Sequence, residues 1–183
     1  HVLAVDPYLT VITNNVFEDC GAGYFVQVIS GYHCVISGNV CRTATEASNA
    51  AVINVFNSYV VEIERNKLWT LDTDRHAIRI DGCQDWSVTD NRVYKATNGG
   101  TFLLVAGASP HGRIARNYIR SHNSIGFSYF INGQGTVPTD IYSEGNELNQ
   151  QFSTLTCETY IDAGASIYAR GDIVNGVIDC YNT

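Results

Sequence analysis

An asparagine held between two apolar residues, one three places before it and one two places after, recurs six times along the chain. The six are Ile12-x-x-Asn15-x-Phe17, Ile36-x-x-Asn39-x-Cys41, Ile63-x-x-Asn66-x-Leu68, Val88-x-x-Asn91-x-Val93, Ile114-x-x-Asn117-x-Ile119 and, degraded, Ser143-x-x-Asn146-x-Leu148. The intervals between these asparagines are 24, 27, 25, 26 and 29 residues. Self-similarity at that period, with short alternating apolar runs, predicts a solenoid of stacked β-coils.

Reading back from each asparagine places the strands. Val2 and Ala4, Val26 and Val28, Ile53 and Val55, and Ile78 and Ile80 recur at one distance, and Leu103 and Val105 follow after a one-residue shift. They alternate with Leu3, Gln27, Asn54, Arg79 and Leu104, a period of two that predicts a strand with one face inward. Thr10, Cys34, Val61 and Trp86, with the Ile/Val set three before the asparagine, mark a second strand. Phe17, Cys41, Leu68, Val93, Ile119 and Leu148 start a third. No segment carries the stripe of an amphipathic helix, so the chain reads as all-β with three short strands per coil and about six to seven coils. Gly and polar clusters fall between coils, as turns require. The asparagine itself suits a tight bend, where its amide tolerates left-handed geometry and hydrogen-bonds nearby backbone. Stacked coil on coil, it forms a structural ladder.

This repeating Ile-x-x-Asn-x-apolar coil resembles the right-handed parallel β-helix of the pectate-lyase-like superfamily. The resemblance covers about residues 2 to 150, and reaches Val177 less clearly through Asp172-x-x-Asn175-x-Val177. It implies a single-stranded, right-handed parallel β-helix over residues 1–183, with residues 124–142 a possible insertion between coils. Relatives of this fold include polysaccharide lyases, glycoside hydrolases, phage tailspikes and non-enzymatic adhesins, so fold alone assigns no activity. The tailspike resemblance implies a homotrimer, or partner domains, covering the ends of the solenoid, and an extracellular or virion-associated location.

Composition narrows the partners. A net charge of −7 argues against nucleic acid, which requires clustered Lys and Arg. No apolar run approaches the roughly 18 residues of a membrane span. The chain holds no methionine and opens on His1, so it reads as a processed or partial product. Its six cysteines lack zinc-type spacing, and Cys34 and Cys41 fall at apolar positions, which predicts buried free thiols.

Function must then lie in outward columns. Tyr8, Tyr32 and Tyr59, followed by Gln84, form one column suited either to stacking sugar rings or to stabilising a turn. A second contains Glu18, Arg42, Trp69, Tyr94 and Arg120, and Asn54 lies on the first strand beside these candidates for substrate contact. Arg65, Asp90 and Arg116 precede their asparagines and predict charge pairing between coils. Ionisable residues are densest at Asp72, Asp74, Arg75, His76, Arg79 and Asp81. Lysis of an acidic polysaccharide needs a base and a cation that neutralises the uronate carboxylate, roles open to His76 and Arg79. Asp72, Asp74 and Asp81 could instead supply a glycosidase carboxylate pair or oxygen ligands for Ca²⁺; no other cofactor is implied. His33 and His122 read as isolated, and His111, in a Ser109-Pro110-His111-Gly112 turn, shows no acid partner. The favoured reading is a polysaccharide-recognising and polysaccharide-degrading β-helix, as lyase or hydrolase, with His76, Arg79, Asp81 and Asp74 catalytic. The rival is a non-catalytic structural or adhesive module.

Overall fold

The computed structural model describes residues 2–18, 24–42, 51–70, 76–95, 100–121, 129–134, 140–150, 158–161, 167–170, 172–174 and 177–179. These form a right-handed parallel β-helix of three sheets, with one strand per sheet in each coil. The first sheet stacks Val2–Val5, Val26–Ile29, Ala51–Phe56, His76–Asp81, Thr101–Ala106, Tyr129–Gln134 and Glu158–Ile161. The second stacks Leu9–Thr13, His33–Ser37, Tyr59–Glu64, Gln84–Thr89, Gly112–Ala115, Ile141–Glu144 and Ile167–Arg170. The third runs from Val16–Glu18 through Val40–Arg42, Lys67–Thr70, Arg92–Lys95, Tyr118–Ser121 and Glu147–Gln150 to Asp172–Val174. There the regularity breaks: Val177–Asp179 folds back antiparallel on Asp172–Val174.

The inward residues are those the alternation marks. Val26, Val28, Ile53, Val55, Ile78, Ile80, Leu103 and Val105 pack with Ile36, Ile63, Val88, Leu68, Val93 and Ile119 in one continuous core. Trp86 is the bulkiest buried side chain, and its Nε1–H donates to the Ser109 carbonyl at 3.1 Å. Gly112 stacks on Trp86 in register, and a Cβ there would overlap the indole ring. At this point the core accommodates a large side chain with a glycine in the neighbouring coil.

The asparagine ladder runs unbroken from Asn15 to Asn146. Each Oδ1 from Asn39 onward accepts the backbone N–H and the Nδ2–H of the asparagine one coil earlier, at 2.8–3.0 Å. Each Nδ2 from Asn39 onward also donates back to a carbonyl, that of Ile12, Ile36, Ile63, Val88 or Ile114. The left-handed geometry expected of these asparagines belongs instead to the residue before them. Asn14, Gly38, Arg65, Asp90, Arg116 and Gly145 all have φ between 53° and 66°. A residue committed to holding the ladder keeps ordinary φ, and its neighbour makes the bend, at about 1–2 kcal/mol where that neighbour is not glycine. Cys34 and Cys83 are free and buried, and Cys41 is buried; Cys20, Cys157 and Cys180 lie outside the described residues.

Candidate functional site

Parallel register sets side chains of adjacent coils about 4.8 Å apart on the same face. On the outer face of the first sheet this brings three of the expected residues together. Asn54 pairs with Arg79, and Phe56 pairs with Asp81. Arg79 donates from Nη2 to Asp81 Oδ2 at 2.6 Å, and its Cζ lies 4.8 Å from the centre of the Phe56 ring. The ion pair is only partly open, at 26% and 22% side-chain exposure, so it is shielded more than a surface pair. Gly107 sits against it: a Cβ there would come within 2.8 Å of Asp81 Oδ1 and 2.9 Å of the Gly82 nitrogen.

Alternation predicts that this column faces water, yet Asn54 is fully buried and Leu104, in register beyond Arg79, is nearly so. Neither Oδ1 nor Nδ2 of Asn54 has a hydrogen-bond partner, and Arg79 Nε lacks one as well. Buried polar groups left in that state cost about 1–3 kcal/mol each.

The other expected catalytic residues do not converge here. His76 shares the parity of the inward Ile78 and Ile80, opposite to that of Arg79 and Asp81. A base on one face and a cation on the other do not flank a single substrate carbon. Asp74, with Asp72 and Arg75, lies outside the described residues.

The tyrosine column forms on the second sheet. Tyr8 and Tyr32 stack with ring centres 5.3 Å apart and planes within 2°, and Tyr32 and Tyr59 follow at 6.1 Å and 32°. All three are exposed, from 80% at Tyr8 to 46% at Tyr59, and Gln84 continues the register. Trp69 and Tyr94 also stand in register, half-buried, between Arg42 and Arg120 on the third sheet.

His33, read as isolated, and His111, read as lacking an acid partner, each have an acidic partner one coil away, whereas His122 lies outside the described residues. His111 Nδ1 lies 3.1 Å from Asp85 Oδ1, and His33 Nε2 lies 3.7 Å from Glu62 Oε1. The repeat period supplies the missing signal, because Asp85 precedes His111 by one coil. Both members of that pair are 62% exposed, so the pair contributes little to stability. They meet where the backbone leaves regular alternation: Val60, Asp85, His111 and Asp140 all have positive φ, an outlier for the β-branched Val60. Ser109 is no nucleophile for His111. Its Oγ is buried, accepts the Cys83 N–H and donates to the Ala106 carbonyl.

The expected charge pairing between coils is present in part. Arg116 grips Asp90 with two bonds of 2.8 and 2.7 Å, whereas Arg65 pairs within its own coil, with Glu64. Arg116 holds the Asp90 carboxyl below its ordinary range, and Arg113 does the same for Glu144.

The family model described as periplasmic copper-binding protein (NosD) matches residues 5–157. No curated protein and no solved structure gave a match. That span exceeds half of the chain, and the chain belongs to the NosD family. The match carries the β-helix superfamily and not a pectate-lyase or tailspike identity. It also overturns the expectation of an enzyme. The family is described as a binding protein, and among the described residues no three His, Cys, Asp or Glu side chains gather as a catalytic metal centre would require.

Proposed function

We propose that this member of the NosD family is a non-catalytic, extracytoplasmic β-helix module that adheres to polysaccharide through the outward columns of its coils. The extracytoplasmic placement follows the family's description as periplasmic. The adhesive reading rests on the Tyr8–Tyr32–Tyr59 column, three exposed aromatic side chains on a rigid scaffold. Their faces are turned largely toward one another along the axis. A ligand therefore meets ring edges and a row of phenolic hydroxyls. Sugars match such a surface, offering apolar C–H faces and many hydroxyls. The carboxylates of Asp81, Asp90 and Glu144 already face arginines, so these three offer a ligand little free charge.

The family's description names copper, and the described residues do not fit it. Cys34 and Cys83 belong to the second and fourth coils, and each thiol meets Ser58 of the coil between. Burial raises both thiols, Cys83 to about 11, whereas a metal requires the thiolate. His33 and His111 each face one carboxylate on the outer surface, with no third ligand.

Electrophoresis through gels laden with capsular, lipopolysaccharide or algal polysaccharide tests the proposal, with reducing ends and unsaturated uronate products followed in parallel. The expected outcome is retardation by at least one polysaccharide without products, lost in Tyr32→Ala. Products of either kind would overturn the non-catalytic assignment. Uniform mobility across the panel would reduce the tyrosine column to architecture.

A further inference from the structure

The unsatisfied polar atoms on the outer face of the first sheet lie together. Asn54 and Arg79 are register partners on adjacent strands, so the carboxamide and the stem of the guanidinium run side by side. Three buried atoms there lack partners: Asn54 Oδ1, Asn54 Nδ2 and Arg79 Nε. Native interiors rarely leave such groups unpaired, and clustered exceptions mark a place where something binds.

The inventory of vacant bonds defines what that is. Nδ2 offers two N–H donors and Nε offers one, while Oδ1 is an acceptor. The occupant must accept and donate at once. A carboxylate or phosphate only accepts, and would stand beside Asp81, which already neutralises Arg79 across 2.6 Å. A metal cation would meet three N–H donors. A hydroxyl group satisfies every condition, because its oxygen takes N–H bonds and its proton goes to Oδ1. The surroundings are Phe56, in the same strand and under the Arg79 guanidinium, and the partly exposed Arg79–Asp81 pair, beside a fully buried Asn54.

We infer that Asn54 and Arg79 form a receptor for one neutral hydroxyl group on the outer face of the first sheet. The hydroxyl comes either from a neutral sugar or from an ordered water. The inference deepens the adhesive reading above, resting on it only for the choice of sugars as probes. It uses a different sheet from the tyrosine column, so the two fail separately.

Nuclear magnetic resonance on the full ¹⁵N-labelled chain tests it, following the Asn54 side-chain amide and the Arg79 Nε–H. The probes are glucose, galactose, mannose and N-acetylglucosamine, with galacturonate as the anionic control. Saturable shifts of both signals with a neutral sugar, absent in Asn54→Leu, are the result expected if the hydroxyl is carbohydrate. No sugar response, but direct cross-relaxation of both signals with a long-lived water, would assign the same site to water. Shifts with galacturonate alone would overturn the inference in favour of an anion site. So would the absence of both sugar response and bound water. Asn54→Leu keeps the branching at Cγ and removes the unpaired amide, and circular dichroism checks that the variant folds. If Tyr32→Ala abolishes polysaccharide retardation while these signals still respond, the two sites are independent.

Discussion

The asparagine ladder and the tyrosine column are built by one device, a residue repeated at the same place in successive coils about 4.8 Å apart. They differ in what each member holds. Asn39, itself fully buried, receives two bonds from Asn15, sends two to Asn66 and returns one to Ile12. Tyr32 touches Tyr8 and Tyr59 by ring contact alone, in water, and the column gives way to Gln84 at the fourth coil. Repetition by itself therefore does not reveal purpose. A column that closes every hydrogen bond is scaffold, and one that leaves edges and hydroxyls open is available to a ligand.

The sharpest way to break this comparison is Asn66→Ala. It removes the acceptor for Asn39 N–H and Nδ2–H and the donor to the Ile36 carbonyl and Asn91 Oδ1. With those groups left buried, a loss of about 3 kcal/mol is expected in urea unfolding. A loss below about 1 kcal/mol would mean that the ladder is decoration.

Gly112→Ala probes the interior from the packing side. Its Cβ would run into the Trp86 ring, and overpacking there should cost about 2 kcal/mol and lower the melting temperature. An unchanged melting temperature would show that the core yields where the ladder does not.

Tyr32→Ala belongs to the other arm. It removes two ring contacts at an exposed site and should cost less than about 1 kcal/mol in the same unfolding assay. A cost equal to that of Asn66→Ala would erase the distinction between scaffold and binding column.

The smallest effect concerns the outer charge pairs. The Asp90 carboxyl is lowered by Arg116, so the folded state holds its proton less tightly than the unfolded chain. This contribution is present in full above the ordinary aspartate value of 3.8, and is lost as pH falls through the lower folded value. Asp90→Asn should flatten that part of the acid stability curve slightly, and salt should do the same. A large change would mean that outer columns carry stability after all.

Sequence made the scaffold readable because coil geometry imposes a period, and the period names strands, inward residues and the asparagine ladder. It also contained the Asp85–His111 pair, hidden until residues are compared one coil apart rather than along the chain. Two features were illegible for a physical reason. Period two tells which side of a sheet Asn54 and Leu104 take, not whether that side meets water. Likewise, a bend can be located from the asparagine motif, but which residue turns left-handed depends on which one the ladder already restrains. The expected base and cation, His76 and Arg79, differ in parity, which alternation within the one strand His76–Asp81 already encodes.

The buried thiols have a kinetic consequence. Cys34 and Cys41 lie in the second coil and Cys83 in the fourth, with Cys83 raised to about 11 by burial. A closed coil thus presents no thiolate to an alkylating reagent, and modification waits for that coil to open. Because repeat proteins can loosen unit by unit, the rates at which these cysteines are trapped would time the opening of the second and fourth coils separately. The chain carries its own pair of clocks, placed two coils apart and needing no engineered label.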